Sequence, residues 1–382
     1  MRVVLTGTYN SQNKGDAAMQ ISTRDALVER GHEVIIATPE PAVDGPLYGS
    51  SNLVEASRRS ASRAPLNLVR ALAQRVFKRQ LIGDDAEITA LADADLVVDL
   101  SGDMLTEDYG VAVALSHFHP LLLSWILNVP YVALAQSIGP FRYTSPLAAF
   151  LLRRAALVTC REPRTLEHLN KLGLGDVEVT ADTAFTLVAQ EFPGLPLQQK
   201  PYRIGISLSG LAEDHHQGRS LLDDVAQALS TVFDSVDAEL LGIPHVTGPK
   251  ASKDDRIVLE KLQARGLDIH VLDDVRPSEM KHAVSTCDIL VGARMHANIA
   301  ALGSGVPVVA LAYSHKFWGI MSEFGQESFV LDLGQFDADQ LANVITKLWE
   351  ERETVAEEIR AKRVDVSARA TRNFELVEEL RL

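Results

Sequence analysis

The sequence predicts an α/β protein built as two parallel-sheet halves followed by a helical tail, and three observations carry that prediction. Short apolar strands alternate with helix-length segments through most of the 382 residues. Strand candidates such as Leu96-Val97-Val98 and Tyr131-Val132-Ala133-Leu134 lack polar alternation, as strands covered on both faces do. A stretch at 190–201 with three prolines, a glycine and a Gln-Gln-Lys run separates two such series, and a fresh apolar strand starts directly after it.

In the first half, residues 3–5 read as a strand, 7–14 as a polar loop, 16–30 as a helix and 33–37 as a second strand. That is the strand-loop-helix-strand unit of a parallel sheet, and its opening loop belongs at the carboxyl edge, where open α/β sheets bind ligands. Residues 39–62, rich in Pro, Gly and Ser, read as a surface excursion; 64–81 read as an amphipathic helix with a basic face. Strands follow at 96–100, 131–135, 157–160 and 177–180, with helices at 111–127, 145–154 and 164–171. The apolar run 121–135 is interrupted by Asn128 and Pro130 and is shorter than the ~20 residues that span hydrocarbon, so it reads as helix end, turn and strand.

The second half repeats the alternation, with strands at 203–208, 239–243, 268–272, 289–291, 306–311 and 329–331, and helices at 221–235, 254–265, 277–286, 296–302 and 315–323. From 337 through 376 the chain is helical in character, with a break expected near Ser367 and, at about 1.5 Å per residue, length enough to clasp both halves. The expected organisation is an N-terminal domain at 1–190, a linker at 191–201, a C-terminal domain at 202–336 and a helical tail at 337–382.

With 46% hydrophobic residues the chain suits compact cores, and Gly 24 with Pro 16 excludes collagen-like or low-complexity architecture. Acidic residues outnumber basic ones 51 to 37, and the net charge of −14 repels a polyanionic backbone, so no nucleic-acid partner is expected. Cys160 and Cys287 stand far apart and form neither a metal knuckle nor a disulfide framework, which suits a reducing compartment. With no signal-peptide core at the start and no spanning run, a cytoplasmic protein is expected.

Polar residues cluster after the strands. The loop Asn10-Ser11-Gln12-Asn13-Lys14-Gly15-Asp16 either cradles an anion or is a plain strand-to-helix loop in which Asp16 caps the helix; it matches neither a phosphate loop nor a dinucleotide fingerprint. Ser101-Gly102-Asp103 sits at the same edge, where Asp103 could orient or deprotonate a hydroxyl or merely cap a helix. Gln136 opens the turn Ser137-Ile138-Gly139-Pro140 and could bond a ligand. Arg161 either pairs with Glu162 to lock the domain or presents its donor fork to a carboxylate or phosphate. Asp182 is equally a loop anchor or a cleft residue. In the second half, His245 could move a proton near neutral pH or be a plain surface histidine, and Asp254 of the run Lys253-Asp254-Asp255-Arg256 could cap the next helix. Arg294 and His296, two apart after an apolar strand, could face one ligand. Tyr313 and Lys316 lie beyond the following strand, where Lys316 would neutralise phosphate or simply start a helix.

Taken in order, Asn13-x-Gly15-Asp16, Gln136-x-Ile138-Gly139-Pro140, Arg161-Glu162, Ala181-Asp182, Arg294-x-His296 and Tyr313-x-x-Lys316 resemble the polysaccharide pyruvyl transferase family over most of the chain. Ser101-Gly102-Asp103 departs from it, standing where relatives commonly have a more glycine-rich turn. The resemblance implies two Rossmann-like domains in a glycosyltransferase-B-like arrangement, a first domain on the acceptor side and a second on the phosphoenolpyruvate side. It implies that phosphoenolpyruvate donates pyruvate to a sugar, oligosaccharide or lipid-linked glycan as a ketal across two hydroxyls.

On this expectation, Arg294 binds the donor and His296 protonates the enol carbon, with Lys316, Arg161, His245 and Tyr313 beside donor or phosphate. Asp16 and Asp103 handle acceptor hydroxyls, and Asn13, Gly15, Ser101, Gly102 and Gln136 bind the acceptor. No metal or other cofactor is required. A homo-oligomer is compatible with the sequence, and the basic residues Arg58, Arg59, Arg63, Arg70, Arg75, Lys78 and Arg79 either form a solvated face or meet an anionic membrane surface at its inner side. A nucleotide-sugar glycosyltransferase and a noncatalytic glycan-binding or assembly protein are the competing readings.

Overall fold

The computed structural model describes residues 1–381 apart from 58–62, 78–84, 176, 211, 213–219, 249–253 and 314, and for 63, 315 and 316 the backbone only. Contacts divide the chain into two units. One comprises Met1–Ser11, Asp16–Thr186 and Ala368–Leu382; the other comprises Gln12–Gly15 and Leu187–Ser367.

The first unit holds strands β1 (Arg2–Thr6), β2 (Glu33–Thr38), β3 (Leu53–Glu55), β4 (Leu96–Asp99), β5 (Tyr131–Gln136), β6 (Leu157–Cys160) and β7 (Glu178–Val179). They form one sheet in the order β3-β2-β1-β4-β5-β6-β7, and every pairing is parallel. Its helices are α1 (Lys14–Glu29), α2 (Pro41–Tyr48), α3 (Arg63–Phe77), α4 (Ala86–Ala92), α5 (Val111–Leu127), α6 (Ser145–Leu152) and α7 (Arg164–Lys171). The two-faced burial expected of β4 and β5 is complete, since every residue of both strands is buried. Phe118, Leu121 and Leu123 of α5 join Val97, Ala133, Ile138 and Leu151 in the core beneath them. The direction of strand succession reverses between β1 and β4, which creates a crevice at their carboxyl ends.

The second unit repeats the plan with β8 (Tyr202–Ser207), β9 (Ala238–Gly242), β10 (Ile269–Val271), β11 (Ile289–Gly292), β12 (Val308–Ala312) and β13 (Val330–Asp332) in the parallel order β10-β9-β8-β11-β12-β13. Its helices are α8 (Leu221–Phe233), α9 (Asp255–Gln263), α10 (Pro277–Ser285), α11 (Met295–Ser304), α12 (His315–Glu323) and α13 (Ala338–Glu378). The reversal here falls between β8 and β11. Asp254 caps α9 as its position predicts, accepting the Arg256 amide at 3.0 Å.

Two expectations change. Residues 39–57 of the stretch 39–62 are not a plain excursion, the rest lying outside the described residues: Pro41 opens α2 at a position where its missing N–H costs nothing, and β3 extends the sheet at its edge. The break expected near Ser367 is absent. α13 contains neither Gly nor Pro, and one serine in a helix interior costs only a few tenths of a kcal/mol, roughly, so the helix runs unbroken for 41 residues.

Within the second unit α13 buries Leu341, Ile345, Leu348, Ile359 and Val366 at helical spacing; within the first it buries Ala370, Phe374 and Val377. There, fully buried Asn373 accepts hydrogen bonds from the hydroxyls of Thr159 (2.7 Å) and Thr180 (2.8 Å) and donates to the Ala181 carbonyl at 2.9 Å. Among the described residues no helix is long and apolar enough to cross a membrane.

Candidate active site

In the second unit the chain leaves β11 at Gly292 and enters α11 through Arg294, its N-cap residue, with no side-chain capping bond. Asn298 reaches back from α11 to donate to the Gly292 carbonyl at 3.3 Å, and a Cβ on Gly292 would lie 1.9 Å from its Oδ1. Only glycine leaves that space. The Arg294 side chain meets Asp255 through Nε (3.0 Å) and Nη2 (2.6 Å). Fully buried at the start of α9, Asp255 also accepts the amides of His245 (3.1 Å) and Val246 (2.9 Å). Burial pushes the Asp255 carboxyl up, while the guanidinium and the two amides pull it back. Burial likewise opposes the Arg294 charge, but the Asp255 carboxylate outweighs it and holds the guanidinium protonated, with a smaller contribution from the Tyr313 phenol. Nη1 of Arg294 lies outside the Asp255 pair.

His296 follows in the first turn of α11, half-buried. Against it lies Gln12–Gly15, which belongs to this unit. The Thr247 amide donates to the Gln12 carbonyl and the Lys14 amide to the His245 carbonyl, both at 2.9 Å, with Asn13 bridged antiparallel to Val246. Asn13 Oδ1 accepts the Gly15 amide at 3.1 Å. A Cβ on Gly15 would fall 2.2 Å from His296 Nδ1 and 2.4 Å from its Cγ. The glycine of Asn13-x-Gly15-Asp16 therefore makes room for an imidazole. Lys14, buried, pairs with Asp274, which also accepts the Thr247 hydroxyl at 2.8 Å.

His245 is buried in the same cluster. Desolvation, reinforced by the charges of His296, Arg294 and Lys14, pushes it down to about 3. The proton transfer near neutral pH expected of His245 does not fit this environment, which keeps the ring neutral at pH 7. Tyr313 stacks edge-on to Phe317 with ring centroids 5.1 Å apart. The side chain of Lys316, in the first turn of α12, lies outside the described residues, as does Lys253.

The first unit gathers neutral and acidic groups at its own strand ends. Asp99, fully buried at the end of β4, accepts the Ser101 hydroxyl (3.0 Å) and amide (3.3 Å). Gln136, fully buried at the end of β5, donates to the Asp99 carbonyl at 2.8 Å and to its carboxylate at 2.5 Å. Its Oε1 is a buried acceptor without a hydrogen-bond partner among the described residues. His117 of α5 shares a 2.9 Å hydrogen bond between its Nδ1 and the Ser101 hydroxyl. Since that hydroxyl gives its proton to Asp99, the imidazole nitrogen must be the donor. Gly102 accepts the Ser137 amide at 2.8 Å, and half-buried Asp103 accepts the Tyr109 hydroxyl at 2.7 Å. Asp16 accepts the Tyr9 amide at 2.8 Å, bracing the loop before α1.

Arg161 pairs with Asp182 at 2.5 Å, both side chains buried, and donates through Nε to the Ser137 hydroxyl at 2.9 Å. The expected partner Glu162 turns instead to Thr165. Burial opposes the Arg161 charge, and Asp182 followed by Asp103 more than restores it.

Of the residues singled out in sequence, the second unit thus brings together Asn13, Gly15, His245, Arg294 and His296, and the first brings together Ser101, Gly102 and Gln136, with Arg161 bonded to the adjoining Ser137. Asn13 and Gly15, expected with the acceptor residues, stand beside His296. Sequence reasoning gave no role to Asp255, Asp99, Lys14 or His117. Only Asp255 left a signal: two adjacent acids open α9, and one cap needs only one of them.

A family model described as polysaccharide pyruvyl transferase matches residues 13–315. The chain belongs to that family. Membership makes it a transferase of polysaccharide biosynthesis. The amylovoran biosynthesis protein AmsJ of Erwinia amylovora is similar at 22% identity over 370 residues, covering 87% of this chain and 88% of AmsJ. Among solved structures, a UDP-N-acetylglucosamine 2-epimerase homologue from Listeria monocytogenes superposes with a TM-score of 0.66 at 14% identity, over 99% of this chain and 95% of that one. The spinosyn rhamnosyltransferase SpnG gives a TM-score of 0.56 at 16% identity, over 100% and 99%. At such identities the likeness concerns the fold, which is glycosyltransferase-B-like: two Rossmann-like units and a helical C-terminal segment.

Proposed function

We propose that this family member transfers pyruvate from phosphoenolpyruvate to a sugar or glycan, closing a ketal across two hydroxyls and releasing phosphate. The observation that carries the reading is the cluster in which Arg294, braced by Asp255, stands two residues from His296 beside a buried neutral His245. A braced guanidinium offers a fixed donor edge to a carboxylate or phosphate, and an imidazolium offers a proton.

In this account His296 gives its proton to the methylene carbon of phosphoenolpyruvate, which becomes a methyl group and leaves the central carbon electron-poor. One acceptor hydroxyl adds there and loses its proton. The carbon–oxygen bond to phosphate then breaks, the phosphate departing with the electron pair, and the second hydroxyl adds with loss of its proton to close the ketal. Arg294 and Lys316 offset charge on donor and phosphate, and Tyr313 and neutral His245 shape that environment. Arg161 is occupied by Asp182 and Ser137, contacts that favour supporting the acceptor loops over holding phosphate. Asp16, Asp103, Ser101, Gly102 and Gln136 are assigned to the acceptor, Asp103 or Asp16 orienting or deprotonating a hydroxyl.

The test incubates purified protein with phosphoenolpyruvate and a sugar panel, follows released phosphate, and resolves the adduct by mass and NMR. Ketal formation that depends on an acceptor is expected. For His296→Ala we expect ketal formation about 100-fold to 10,000-fold slower with donor binding retained. Unchanged turnover removes His296 from the acid role, and transfer from a nucleotide sugar without phosphoenolpyruvate consumption replaces the whole reading.

A further inference from the structure

Helix α3 turns an apolar stripe outward. Val69, Leu72, Val76 and Phe77 are 52%, 56%, 62% and 60% exposed, and Leu66 continues the stripe one turn earlier, whereas Asn67 and Ala71 on the opposite side are fully buried. At 3.6 residues per turn Arg70 and Arg75 fall on opposite borders of that stripe. Each is anchored at its guanidinium, Arg70 to Asn67 and Asp85 and Arg75 to the Ile126 carbonyl, so the borders are held in place. α3 packs on α5, which itself leaves Leu115 and Trp125 exposed.

An outward face of this kind ordinarily carries charged residues, and a contiguous apolar one marks a surface that meets something else. Its charge context identifies what. Residues 56–83 contain seven Lys and Arg and no Asp or Glu, in a chain whose net charge is −14. Two copies of so acidic a chain repel each other as wholes, and nucleic acid would use the cations while leaving Val69, Leu72, Val76 and Phe77 in water. An anionic phospholipid surface satisfies both features: acyl chains take the apolar stripe and headgroups take the positive charge of the segment, Arg75 at the border of the stripe included, while Arg70 stays paired with Asp85.

We propose that α3 docks the protein on anionic membrane by laying this stripe into the interface. The inference does not depend on the donor chemistry, and its readout is lipid binding by the full chain. Sedimentation with vesicles of phosphatidylcholine alone and of phosphatidylcholine with phosphatidylglycerol should show partition onto the anionic vesicles only, weakening as salt is raised. The triple variant Leu72→Ser, Val76→Ser, Phe77→Ser removes exposed side chains only, and should lower that partition by about tenfold or more with an unchanged melting temperature. Phe77→Trp should shift its emission to the blue on the same vesicles and be quenched by brominated acyl chains. The proposal is overturned by absence of partition, by equal partition of the triple variant, by an emission unmoved by lipid, by self-association that the triple variant abolishes, or by oligonucleotide binding in place of vesicle binding.

Discussion

The two units place their polar residues at the same topological point and give them opposite character. At the β1–β4 reversal the first unit assembles Asp99, Ser101, His117 and Gln136, a hydrogen-bonded set with an acid at its centre. At the β8–β11 reversal the second unit assembles Arg294, His296, His245 and Lys14, with Asp255 and Asp274 as counter-charges. One sheet plan thus supports a site suited to hydroxyls and a site suited to anions. The chemistry is set by a few residues just past the strands, not by the architecture.

The strongest way to break this comparison is to remove a counter-charge. Asp255→Asn leaves Arg294, 15% exposed, without its carboxylate, and losing one partner of a buried pair costs at most about 3–5 kcal/mol. We expect a denaturant midpoint lowered accordingly, together with loss of phosphoenolpyruvate binding measured by calorimetry. Asp182→Asn in the first unit also strands a buried arginine and should cost a similar amount of stability, but should spare donor binding. Equal loss of donor binding in both variants would dissolve the division of labour between the units.

Next in size is Gly15→Ala. The added methyl would overlap the His296 ring, so the imidazole must move by an ångström or more. A displacement on that scale costs on the order of 100-fold in turnover. The expected signature is a fallen kcat with a melting temperature close to wild type. Wild-type activity in Gly15→Ala would separate that motif from His296.

Much of this fold was legible because buried parallel strands announce themselves as unbroken apolar runs; β1, β4, β5, β8, β11 and β12 all lie where those runs are. α2 and β3 were not legible: their segment is short and rich in Gly, Pro and Ser, and it is ordered by contacts made elsewhere, such as Asp44 accepting the Ser11 amide at 2.7 Å. For the site, residues at the ends of strands could be picked out because polar side chains follow apolar ones. Asp99 could not, since a buried acid that accepts from a serine has the same sequence appearance as any strand-end carboxylate, and Asp255 left only the second acid of Asp254-Asp255 as its trace. The pairing of Gln12–Gly15 with the 245–247 loop joins segments more than 200 residues apart in sequence, and no periodicity encodes that.

A third prediction sharpens the comparison through pH. His245 in the second unit is pushed down to about 3 and His119 in the first to about 4, both chiefly by burial. The unfolded chain binds a proton at each near pH 6.5, roughly, while the folded chain refuses it. Each therefore contributes stability that is present above the unfolded value and is lost as pH falls toward the folded one, with a slope of at most about 1.4 kcal/mol per pH unit per group. His119→Asn should flatten the stability profile from about pH 6.5 to 4, and His245→Asn down to about 3. Parallel profiles for wild type and His245→Asn, measured by urea unfolding across this range, would mean that the cluster admits water and is not buried.

The smallest effect belongs to the first unit. Ser101→Ala removes a hydroxyl that accepts from His117 and donates to Asp99. Two buried hydrogen bonds are lost, and the one to a carboxylate is by itself worth about 1.5–3 kcal/mol, so folding should weaken measurably but less than on loss of Asp255. The consequence for function should be selective. If the first unit holds the acceptor, KM for the sugar rises severalfold while phosphoenolpyruvate binding to the free enzyme stays constant, because Arg294, Asp255 and His296 are untouched. A variant that loses phosphoenolpyruvate binding while its sugar KM holds would reverse the assignment of the two strand-end clusters, making the hydroxyl-rich one the donor site despite its acid.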